Sequence, residues 1–136
     1  MIWIGTEDGE LNKYDPVSHK MVTYPEKETF YNIQDLLPYK GDIWVASYGN
    51  GLFRYNPDSR RIVARYSLGS DYVTRLFLTA RKEVLAGTRS GLYKFNESAG
   101  TFETVSATEQ HFIHSIYQDH RGYIWVGTIR NGIRVM

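Results

Sequence analysis

Apolar residues fall in short runs that recur at a nearly fixed interval along the 136 residues. The clearest run reads Ile2-Trp3-Ile4-Gly5-Thr6, Ile43-Trp44-Val45-Ala46-Ser47, Val84-Leu85-Ala86-Gly87-Thr88 and Ile124-Trp125-Val126-Gly127-Thr128. Its second residue, Trp3, Trp44, Leu85 and Trp125, returns at steps of 41, 41 and 40. A following run keeps the same interval, with apolar anchors at Leu11, Leu52, Leu92 and Ile133 and closing residues Tyr14, Tyr55, Phe95 and Met136. Three of the first runs are preceded by another, carrying Ile33 and Leu36, Val73 and Leu76, and Ile113 and Ile116. A weaker fourth covers 21–24, 62–66 and 102–105. All are rich in β-branched and aromatic residues, the composition of strands. Between them stand Thr6-Glu7-Asp8-Gly9, Tyr48-Gly49-Asn50-Gly51, Arg89-Ser90-Gly91 and Arg130-Asn131-Gly132, with Gly, Asn or Asp where a tight turn needs positive φ. No longer stretch holds an apolar period near 3.6 without a turn signal, so helix is expected to be nearly absent.

Four antiparallel strands in about 41 residues is the size of one β-propeller blade. The Ile-Trp-Val-Gly strand is apolar at every position, which predicts burial on both faces between neighbouring blades. Gly5, Ala46, Gly87 and Gly127 after each apolar triplet leave room for the next blade. The fold expected is therefore all-β, an incomplete ring of two full blades (30–66 and 71–106) and two partial ones (1–25 and 111–136). Propellers close with about 4–8 blades. The outer blades should thus show apolar faces, to be covered by remaining blades of a longer chain or by a homo-oligomer. The first strand opens with no signal peptide before it, and a piece of a longer protein is the expectation.

Composition narrows the partners. Sixteen Lys and Arg stand against fifteen Asp and Glu, interspersed, so no electrostatic footprint for nucleic acid or an anionic membrane exists. No apolar run approaches the roughly 18 residues of a spanning helix, and no direct membrane contact is expected from this segment. Cysteine is absent, which excludes disulfides and thiolate metal sites.

The stretch Tyr117-Gln118-Asp119-His120-Arg121-Gly122-Tyr123-Ile124-Trp125-Val126-Gly127-Thr128, followed by Asn131-Gly132-Ile133, resembles the two-component regulator propeller repeat. So does 41–57, from Gly41-Asp42-Ile43-Trp44 through Gly51-Leu52-Phe53-Arg54-Tyr55-Asn56-Pro57. Leu85, Lys82 and Glu10 depart from the repeat's Trp and glycines. The resemblance implies a periplasmic or extracytoplasmic sensor region of hybrid two-component histidine kinases, mainly in Bacteroidetes-like bacteria. Such regions precede a membrane span, a kinase and often a DNA-binding regulator, and their ligands tend to be fragments of complex polysaccharides. Kinase activity would lie in a domain this chain does not contain, and no enzyme activity or cofactor is expected of it. The alternatives are a propeller-type carbohydrate-active enzyme, lyase or sialidase-like, and a protein-interaction scaffold.

Three places in the chain carry candidate chemistry. His111, His114 and His120 with Asp119 have metal-ligating character, but 111 and 114 point to opposite faces of a regular strand, so no metal site is expected. Asp35 is a lone acid expected to line a wet channel on an inner strand. The turn residues after each Trp strand ring one mouth of a propeller. There the non-repeating Tyr48, Asn50, Arg89, Arg130 and Asn131, with Glu7 and Asp8, form the candidate ligand site. Tyrosine and arginine suit an oligosaccharide or a uronic acid.

Overall fold

The computed structural model describes residues 1–136. Runs of alternating or continuous β-formers close into hairpins wherever the chain supplies a left-handed turn residue, and the result is four antiparallel sheets. Blade 1 holds β1 (Ile2–Gly5), β2 (Leu11–Asp15) and β3 (Lys20–Tyr24). The single helical turn α1 (Lys27–Phe30) follows. Blade 2 is β4 (Ile33–Tyr39), β5 (Asp42–Ser47), β6 (Gly51–Asn56) and β7 (Arg61–Tyr66). Blade 3 is β8 (Val73–Leu78), β9 (Val84–Thr88), β10 (Gly91–Asn96) and β11 (Thr101–Thr104). Blade 4 is β12 (Ile113–Gln118), β13 (Ile124–Thr128) and β14 (Ile133–Val135). Strand order follows chain order in every sheet, giving two four-stranded and two three-stranded blades. The all-β, part-ring architecture expected from the repeat is the one observed.

Blades stack through their inner strands: first strand β4 contacts β8 and β8 contacts β12, while Trp strands β1, β5 and β9 contact the first strand of the next blade, β4, β8 and β12. The Trp strands behave as their neighbours dictate. In blades 2 and 3 nearly every residue of β5 and β9 is buried, whereas β1 and β13, with a neighbour on one side, are half open. Close approach is built into the sequence. A methyl group added at Gly87 would come within 2.6 Å of Ile113 Cγ2 in the next blade, and one at Gly5 would collide with Ile33. The corresponding pair between blades 2 and 3 is Ala46 and Val73, both fully buried in one cluster.

Three cores result. The first joins blades 1 and 2, where Phe30 of α1 meets Phe53 and Tyr55 edge-on at 5.4 and 5.5 Å. The second surrounds Trp44, which stacks on Tyr66 at 5.3 Å and meets Phe95 and Phe102 edge-on. The third, between blades 3 and 4, centres on Leu85, Leu92, Ile113 and Val126. Beside Leu85, where the other blades carry Trp, a cleft of about 330 Å³ opens between Leu92, Val105, Ile124 and Met136.

Polar ties reinforce the stacking. Thr74 donates its hydroxyl to the Ile113 carbonyl at 2.7 Å, and the Ala80 N–H donates to Gln118 at 2.7 Å. Asp35 also ties blade 2 to blade 3. Its carboxylate, beside a small open cavity on the inner strand, accepts the Leu76 N–H of the next blade at 2.8 Å and the Leu36 N–H at 2.9 Å. Burial pushes its pKa up, against the pull of those two N–H groups. First strands β4, β8 and β12 share a register shift at their second residue, Gln34, Thr74 and His114. Repetition of that bulge marks it as part of the blade design.

Candidate functional site

A hydroxyl residue ends or directly follows each Trp strand, and that hydroxyl shapes the turn that follows. Thr6, Ser47, Thr88 and Thr128 accept the N–H of Glu10, Asn50, Ser90 and Asn131 at 2.9, 3.2, 3.0 and 2.8 Å. The next residue then docks on the loop entering the same blade. Tyr48, Arg89 and Ile129 donate their N–H groups to the carbonyls of Asn32, Tyr72 and Phe112 at 2.7, 3.1 and 2.9 Å. Tyr48, Arg89 and Ile129 are therefore structural equivalents, and Arg130 stands one residue further along its turn.

These turns and loops gather on one face of the array and enclose a cleft of about 750 Å³ between blades 3 and 4. Its walls include Ser70, Tyr72, Arg89, Phe112, Arg130 and Asn131. The Arg89 guanidinium lies over two aromatic rings, 4.5 Å from the Tyr72 centroid and 5.8 Å from that of Phe112. Tyr48 packs edge-on against Tyr72 at 4.9 Å. Neither Arg89 nor Arg130 forms an ion pair. Asp71, also in the wall, turns its carboxylate toward Gly51 of blade 2.

Three of the five residues picked from sequence, Arg89, Arg130 and Asn131, line this cleft. Tyr48 supports it from behind through Tyr72. Asn50 does not enter it, because its amide donates to the Thr29 carbonyl at 3.0 Å and holds the end of α1. On blade 1, Asp8 spends its carboxylate on the Thr6 hydroxyl and on Lys27 at 3.1 Å. Tyr72 and Phe112 escaped the sequence reading. They immediately precede Val73 and Ile113, 40 residues apart, so the repeat itself marks their position.

The acid near the last Trp strand has other work. Asp119 accepts the N–H groups of Arg121 and Tyr123 at 2.9 and 3.1 Å, the Arg121 guanidinium at 3.1 Å and the Trp125 indole N–H at 2.9 Å. Those donors, the indole foremost, hold its carboxyl well below the usual carboxylate range. His114 sits at the β12 bulge and His111 in the loop before it, and no three His, Cys, Asp or Glu side chains converge on a metal-sized site.

The fold matches solved structures along nearly the whole chain. One is described as the extracellular domain of a hybrid two-component system, BT3049, from B. thetaiotaomicron, with TM-score 0.85 and 19% identity over 98% of this chain and 18% of that one. A second such domain, BT4673 from the same organism, gives 0.78 and 18% over 98% and 21%. Streptogramin B lyase gives 0.71 and 15% over 95% and 48%. At these identities the likeness establishes the propeller fold, and the chain spans about a fifth of the two sensor domains. A search of curated proteins finds no match. The two-component regulator propeller signature matches residues 109–130, which run from the loop before blade 4 through its Trp strand. The two-component regulator propeller signature is thus carried by one blade of a propeller array.

Proposed function

We propose that this chain is a non-enzymatic part of an extracytoplasmic sensor propeller in a two-component system, and that the cleft between blades 3 and 4 receives a carbohydrate-type ligand. The cleft carries this reading. It offers two arginines without acidic partners and the amides of Gln110 and Asn131, a polar set suited to a hydroxyl-rich molecule. Its volume falls in the usual range for small-molecule sites, roughly 300–1,000 Å³. The likeness to extracellular domains of two-component systems supports the sensor context. Kinase chemistry belongs to a separate domain. Further blades, covering the outer faces of blades 1 and 4, are the partners this reading requires.

A glycan array probed with the chain, and with its Tyr48→Ala/Arg89→Ala/Arg130→Ala variant, tests the proposal. Binding to a defined oligosaccharide family that the triple variant loses is the expected result. Binding that the variant retains would remove the cleft as the site.

A further inference from the structure

We infer that the cleft between blades 3 and 4 selects an acidic oligosaccharide, with Arg89 as a fixed receptor for its anionic group and Arg130 as the second cation. This inference rests on the carbohydrate reading of the cleft and narrows it. Neutral sugars are commonly gripped by apolar contact with an open aromatic face. Here the rings of the cleft carry a cation. The Arg89 guanidinium lies over Tyr72 and Phe112, and the edge of Tyr48 packs against Tyr72. The cleft exposes the Arg89 cation beside them.

The guanidinium lies near two rings contributed by different loops and makes no ion pair within the chain. A planar fork held in advance loses little freedom on meeting a carboxylate or sulfate, and can engage it through two parallel hydrogen bonds. No protein carboxylate competes. Arg89 and Arg130 make no ion pair, and the wall's own acid, Asp71, lies against Gly51. The chain's net charge is only +1, so attraction to an acidic glycan would come from this local pair and not from the molecule as a whole. Ser90, Gln110 and Asn131 remain to bond hydroxyls around the anion.

The test is titration calorimetry of the 136-residue chain at about 0.15 M salt, where long-range attraction is screened. The probes are tetragalacturonic acid, a sulfated chondroitin tetrasaccharide and neutral cellotetraose. One acidic probe is expected to bind at least tenfold tighter than cellotetraose. The tighter of the two identifies the anion as carboxylate or sulfate. Arg89→Gln should remove the preference, and Arg89→Lys should restore little of it because an ammonium lacks the planar fork. Arg130→Gln, on an exposed turn where it supports no core, should weaken the preference with the fold intact by circular dichroism. Equal binding of acidic and neutral probes would overturn this inference and leave the carbohydrate reading standing. Binding of none would overturn both. Acidic binding unchanged in both glutamine variants would overturn the assignment of these residues.

Discussion

The indole N–H of Trp125 donates to the Asp119 carboxylate at 2.9 Å, while its equivalent in blade 2, Trp44, is fully buried with its N–H unpartnered. One repeat thus builds two kinds of tryptophan. Trp125 is tied to the turn that precedes it, and Trp44 is held by packing and by the Arg54 guanidinium over its ring.

Asp119 should make the blade 4 turn acid-sensitive. Its folded pKa lies below that of the unfolded chain, so its contribution is complete above the ordinary aspartate value of about 3.9. That contribution is lost as pH falls from there toward the folded value. Urea midpoints measured from pH 7 to pH 2 should fall more steeply for the native chain than for Asp119→Asn. Parallel curves would contradict this role.

Trp44→Ala should cost about 3–5 kcal/mol, since it empties the space between Tyr66, Phe95 and Phe102. Leu85→Trp should behave differently, because the cleft beside Leu85 offers about 330 Å³ for the larger ring. Denaturant unfolding is expected to show no loss beyond about 1 kcal/mol, below the usual cost of overpacking.

Lys82 holds a left-handed conformation, φ 65°, at the turn position where Gly41 and Gly122 have φ 81° and 91°. A side chain in this region costs roughly 1–2 kcal/mol, and the Tyr39 hydroxyl bonds only the Lys82 carbonyl. Lys82→Gly should therefore raise stability by about 1 kcal/mol. A lowered unfolding midpoint would show that the lysine side chain has an unrecognised role.

Blade 4 turns Tyr117, Trp125, Ile133 and Val135 outward, and they are 37–67% exposed. Register places Tyr117, Trp125 and Val135 in one row across the sheet. Patches of this kind ordinarily find a partner. Sedimentation of the chain should show association that rises with concentration and that Trp125→Ser weakens. A monomer at every concentration would contradict the expected covering of this face.

Architecture was legible because the signal repeats. Trp3, Trp44, Leu85 and Trp125 each vote on the same strand, so drift at Leu85 leaves the period readable. The mouth was legible in part, since Arg89 and Arg130 stand in turns of known direction. Contacts across blades were not. Asp35 reaches Leu76, 41 residues away, and Asn50 reaches back to Thr29, and no local pattern encodes such a meeting. Tyr72 and Phe112 were hidden for another reason: they lie between strands, where attention to strand residues passes over them.

The cleft has one wall on each side of the joint between blades 3 and 4, and blade 4 is the more open of the two. Anything held across that joint favours the docked arrangement over a loosened one. At a hundredfold excess over Kd the added stability is about 2.7 kcal/mol, comparable to several of the polar ties already there. On the proposed reading, occupancy would stiffen the array, a mechanical effect that requires no change in backbone shape.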